Sequence, residues 1–102
     1  MVHQRIPSLE FLQEKRSQIL AICAKHGAHN VRIFGSVARG EADAQSDIDF
    51  LVDYDLQHIT PWFPAGLINE LEELLGNRVD VVTETGLKER IKKQVLREVI
   101  AL

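Results

Sequence analysis

Cysteine is all but missing from this sequence. Cys23 is the only one in 102 residues, so a disulfide framework and a cysteine-built zinc site are both excluded. No apolar run approaches the roughly 20 residues that a membrane-spanning helix needs. The opening residues, MVHQRIPSLEF, hold no apolar stretch of the secretory-signal kind, and a cytoplasmic location is the expectation. A basic excess is also lacking. Twelve Lys and Arg stand against 15 Asp and Glu, a formal net charge of −3. Nucleic-acid binders normally carry a basic footprint, so direct binding to nucleic acid is not expected; binding a small polyanion through a metal is left open. Only three prolines occur, with no repeat, low-complexity tract or linker. Residues 1–102 read as a single domain, 45% apolar, which at this length builds one core without covalent staples.

What is present is an alternation of helices and strands. Pro7 and Ser8 supply a helix start, and Leu9, Leu12, Ile19, Leu20 and Cys23 fall near one face of a helix expected from Ser8 to His26, with Gly27 as its stop. His29–Phe34 and Asp47–Tyr54 read as strands. Gln57–Pro64, with two prolines, reads as a loop. Leu67–Leu75 reads as a helix, Arg78–Thr83 as a third strand, and Leu87–Ala101 as a last helix with Leu87, Ile91, Val95, Val99 and Leu102 at helical spacing. The expected architecture is an α/β (α+β) layered domain with a mixed three-stranded sheet flanked by helices.

Three carboxylates stand out. Asp47 and Asp49 are alternate residues of one strand and share a face, while Ile48, Phe50 and Val52 share the other. Asp80 can join them if the third strand lies beside the second. Two like charges about 4 Å apart repel by roughly 4 kcal/mol at an effective dielectric of 20, which a proton or a cation must relieve. All-oxygen ligands favour Mg²⁺ or Mn²⁺ over zinc, and Mg²⁺ is typically held by one or two carboxylates plus substrate phosphates. An isolated Asp-x-Asp is more often a pair of solvated strand residues. The segment upstream changes that balance. Gly35 follows an apolar strand and lets backbone approach a ligand closely; Ser36 opens a helical turn whose N–H groups suit phosphate oxygens. Arg39, one turn on, can grip a phosphate bidentately or pair with Glu41 or Asp43. Neither a Walker A loop nor a Rossmann loop is present.

Taken together, GSVARGEADAQSDIDFLVDY resembles the hG[GS]…DhDh signature of the DNA-polymerase-β-like nucleotidyltransferases. With RVDVVT downstream it is similar to the minimal nucleotidyltransferase (MNT) antitoxins, and the likeness runs from Val31 to the last helix. The resemblance implies a small nucleotidyltransferase fold and transfer of AMP from ATP to a hydroxyl with release of pyrophosphate. It implies that Gly35 and Ser36 hold the triphosphate, with Arg39 in the same motif as a further nucleotide-binding candidate. Asp47 and Asp49 would bind two Mg²⁺ ions, or Mn²⁺. Asp80 would be the third carboxylate, sharing a metal or activating the acceptor hydroxyl. The chain has no residues to spare for an acceptor domain, so a second chain is expected to supply the acceptor. In the MNT family that partner is a HEPN-type RNase toxin, inactivated by AMP on a tyrosine, and a hetero-oligomer is the implied assembly. Two alternatives stay open: a module that masks its partner by binding alone, and transfer to a small hydroxyl-bearing molecule.

His3, His26, His29 and His58 are scattered and carry no metal-ligand spacing. Cys23 reads as a small core residue. Trp62-Phe63 reads as a loop packed on its own core or as an exposed contact, and the Lys-rich last helix as a solvated face.

Overall fold

The computed structural model describes residues 6–102; the reading of His3 lies outside them. Ser8 opens α1 (Leu9–Glu14). Its backbone is extended and its hydroxyl accepts the Phe11 N–H at 3.1 Å, satisfying one donor that a helix start leaves free. The single helix expected from Ser8 to His26 is interrupted at Lys15 (φ −98°, ψ 9°), after which α2 (Arg16–Lys25) resumes. The apolar face continues across the break, because Phe11, Leu12, Ile19 and Cys23 are all buried.

The chain then runs through β1 (Ala28–Phe34), the short α3 (Gly35–Arg39) and β2 (Ile48–Tyr54). It continues through α4 (Ala65–Leu75), β3 (Val79–Val82), a 3-10 turn at Glu84–Gly86 and α5 (Glu89–Glu98). β1 and β2 pair antiparallel, whereas β2 and β3 pair parallel. A parallel pair needs a crossover, and α4 provides it, with Leu67, Leu71 and Leu75 buried. The alternation read in β2 holds: Ile48, Phe50 and Val52 are fully buried, and Asp49 points the other way.

The sheet has four strands, not three. α5 stops at Glu98, Val99 is extended (φ −61°, ψ 143°), and Ile100–Ala101 form β4, antiparallel to β1. Strand order is β3-β2-β1-β4. Helical spacing of Val95, Val99 and Leu102 suggested a helix to Ala101, but the open edge of β1 offers Val99 and its neighbours backbone partners. The Leu102 N–H donates to the Val31 carbonyl at 3.0 Å. Leu87 and Lys88 precede α5, and within it only Val95 is buried.

β1 is irregular near its start, where its pairing with β2 shifts between His29 and Arg32 and Asn30 takes φ +50°. Arg32 is only 8% exposed. Its guanidinium meets Asp53 at 2.9 Å and Glu84 at 3.1 Å, and its Nε donates to the Asn30 carbonyl. The irregular strand and the 3-10 turn are thereby tied together on one face of the sheet. Among the described residues no helix is long and apolar enough to cross a membrane.

Candidate active site

β1 delivers Gly35 to the site. Phe34 pairs with Asp49 across the sheet, so the residue after Phe34 turns over the Asp49 side chain. Gly35 has φ +77°, and a Cβ built on it would overlap Asp49 Oδ2 and lie 3.1 Å from its Cγ. Glycine is therefore required twice, for its left-handed backbone and for the carboxylate packed against it. Sequence reasoning explained this glycine by close approach of a phosphate; in the structure its immediate neighbour is Asp49.

The parallel register sets Asp49 directly beside Asp80. The Asp49 carboxyl is pushed up to about 6, first by burial, then by the charges of Asp80 and Asp47; Arg39 opposes this weakly and Glu98 adds to it. A carboxyl raised by burial and by like-charged neighbours is a mark of a functional site. Asp47 stands one residue before β2, exposed, with its carboxylate 3.1 Å from Arg78 Nε. Asp80 is exposed on β3, which among the described residues is the end strand of the sheet. Among the described residues no three acidic, histidine or cysteine side chains close around one point as a preformed metal cage. The donor set still fits a hard cation of the kind held by one or two carboxylates, with water and substrate oxygens completing the shell.

Ser36 is half-buried in the first turn of α3, and Arg39 closes that helix. Arg39 pairs with Glu41 at 2.9 Å, one of the two partners expected for it, and also with Glu98 at 3.2 Å. Glu98 was not among the candidates. It is 63 residues from Gly35 in the chain, yet its Oε1 accepts the Gly35 N–H at 3.0 Å. No spacing rule connects them; only the fold of α5 over α3 does. Arg78, the partner of Asp47, was likewise read only as the start of a strand.

The remaining candidates lie elsewhere. His29 pairs with Asp53 at the opposite end of β1 from Gly35. His26 bonds to Glu70 at 3.0 Å, and His58 to Asp55. Cys23 is buried, and its thiol is pushed up to about 11 by desolvation, which makes it inert. The aromatic pair divides: Trp62 is 76% exposed, while Phe63 packs on Tyr54 with ring centroids 5.6 Å apart.

The site is thus two in-register strand carboxylates, Asp49 and Asp80, beside a glycine-serine turn on a mixed sheet flanked by helices. The chain belongs to the nucleotidyltransferase-domain family, which its residues 15–102 match. It is 43% identical over 77 residues to the protein adenylyltransferase MntA of Thermococcus cleftensis, covering 74% of this chain and 76% of that one. Its fold superposes at a TM-score of 0.80 on a structure provisionally described as a minimal nucleotidyltransferase, 51% identical, covering 94% of this chain and 97% of the other. It also shares its fold with a chain of a toxin–antitoxin crystal structure with AMP-PNP. That likeness has a TM-score of 0.64 at 22% identity and covers 87% of this chain and 70% of the other.

Proposed function

We propose that this nucleotidyltransferase is an antitoxin that transfers AMP from ATP to a tyrosine hydroxyl of a HEPN-type RNase toxin and so neutralises it. The observation that carries the chemistry is the packing of the Asp49 carboxylate beneath Gly35, with Asp80 in register beside it. It joins the turn that would take the triphosphate to the carboxylates that would take the metal. The choice of a protein acceptor is supported by the 43% identity to a protein adenylyltransferase, and the toxin partner by the family resemblance of the motif.

In this reading Asp47 and Asp49 would hold the Mg²⁺ ions, which would neutralise charge on the phosphates and on the departing pyrophosphate. Gly35 and Ser36 receive the phosphate chain. The tyrosine oxygen forms a bond to the α-phosphorus as the bond between the α-phosphorus and the bridging oxygen to the β-phosphate breaks, and pyrophosphate leaves with that oxygen. The phenolic proton passes to a base, the role assigned in this reading to Asp80, which is exposed in register beside Asp49. Most of the rate advantage of such a site comes from positioning and charge stabilisation.

Co-expression with the toxin tests this reading. Wild-type chain should restore growth and leave AMP on the toxin, and Asp47→Asn/Asp49→Asn should form the complex but fail to protect. Protection by the double variant at equal expression, with no AMP on the toxin, would mean neutralisation by masking.

A further inference from the structure

The two groups best suited to hold phosphate oxygens in this site are already holding a carboxylate. The Gly35 N–H donates to Glu98 Oε1 at 3.0 Å, and Arg39 Nη1 lies 3.3 Å from Oε1 and 3.2 Å from Oε2. A backbone N–H and a guanidinium converging on one anion is how proteins bind a phosphoryl oxygen. We propose that Glu98 is an intramolecular stand-in for phosphate, an autoinhibitory contact that α5 lays across the Gly35–Arg39 segment and that a nucleoside triphosphate must displace. This inference rests on the nucleotidyl-transfer reading of the site.

Three features argue for it. Glu98 is the last residue of α5, where a negative charge opposes the helix dipole and a basic side chain is favoured. Helix stability thus gives no reason for an acidic residue there. Its side chain is only 17% exposed, so it is seated in the contact and is not a solvated helix end. It also adds a negative charge at the very turn whose glycine packs on the Asp49 carboxylate. An acidic side chain in that place works against the arrival of a polyphosphate. Arg39 has a second anchor in Glu41 at 2.9 Å, so the guanidinium stays near the turn after Glu98 withdraws.

Two residues beyond Glu98 the chain pairs with β1 as β4. The backbone amides of residues 98–102 therefore lie close enough to report release of the carboxylate.

The test is calorimetric titration of the full chain with Mg²⁺ and the α,β-methylene analogue of ATP, which cannot be cleaved at the bond this reaction breaks. Glu98→Gln keeps an acceptor for the Gly35 N–H and removes the charge. It should tighten the analogue roughly three- to tenfold and leave the affinity for adenosine, which has no phosphate, unchanged. Unchanged or weaker analogue binding by a folded variant would overturn the inference while leaving the nucleotide reading intact. No analogue binding by either the wild-type chain or Glu98→Gln would overturn the nucleotide reading and this inference together. A second measurement does not depend on the variant folding. In backbone amide spectra of the wild-type chain, the Mg²⁺ complex of the analogue should shift the Gly35 and Glu98–Leu102 signals together. A shift at Gly35 with residues 98–102 unmoved would also overturn it.

Discussion

The Asp49 carboxylate occupies the space in which a side chain at position 35 would begin. Its Oδ2 would overlap a Cβ on Gly35, whose φ is +77°. The metal-binding candidate and the phosphate-binding candidate are thus one packed unit, and a side chain at position 35 must move the carboxylate.

Gly35→Ala should therefore cost more than backbone strain alone. Gly40 supplies the control, because its φ is +73° and nothing lies within 4 Å of its virtual Cβ. Gly40→Ala should lose about 1 kcal/mol, the ordinary cost of a left-handed alanine. Gly35→Ala should lose about 2–3 kcal/mol and abolish transfer, because Asp49 must swing away. Urea unfolding of both variants measures the difference, and equal losses would contradict the packing argument.

Asp49→Asn should stabilise the nucleotide-free protein at neutral pH and remove transfer activity. The sign follows from the raised carboxyl. In the folded chain it titrates near 6 against 3.8 for the free group, so between these values the folded state binds more protons than the unfolded one. Stability from this group falls as pH rises through that window and is lowest above it. Removing the charge should gain about 1–2 kcal/mol at pH 7.5 after allowance for solvent screening, and nothing near pH 3.5. Urea midpoints of wild type and variant at both pH values check it through their difference, which cancels the titration of the other carboxylates.

The carboxylates were legible in the sequence because a strand's period of two puts Asp49 opposite Phe50 whatever the surrounding fold. Asp80 was legible only conditionally, if the third strand lay beside the second, and the parallel register of β2 and β3 meets that condition. The fourth strand was not legible, since Val95, Val99 and Leu102 satisfy helical spacing as well as a helix that ends at Glu98. Only the unpaired edge of β1, a tertiary fact, decides between them. The break at Lys15 carries no glycine or proline to announce it. Glu98 was invisible for another reason: its meaning lies in a contact across 63 residues of chain.

Arg32 should matter more to stability than either of its acidic partners. It is buried, while Asp53 and Glu84 keep about two-fifths of their side-chain surface in water. Arg32→Ala removes three charge-assisted contacts and a buried stem, and should cost about 2 kcal/mol. Asp53→Asn and Glu84→Gln should each cost less than about 1 kcal/mol. Thermal unfolding of the three variants ranks them, and an acidic variant that falls furthest would contradict the assignment.

Mg²⁺ and ATP together should raise the melting temperature of the wild-type chain by roughly 10–20 °C at a hundredfold excess over Kd. EDTA should remove most of that rise, and Asp49→Asn should show little of it. A rise that EDTA leaves untouched would separate nucleotide binding from the carboxylates.

The central claim is tested most directly by the intact mass of the HEPN partner after incubation with this chain, ATP and Mg²⁺. The expected result is a gain in whole AMP units, matched by pyrophosphate release and located by fragmentation on a tyrosine, with RNase activity falling in step. It should stay low after the nucleotidyltransferase is removed. A partner of unchanged mass whose RNase activity is nevertheless lost only while the two chains are bound would contradict the claim.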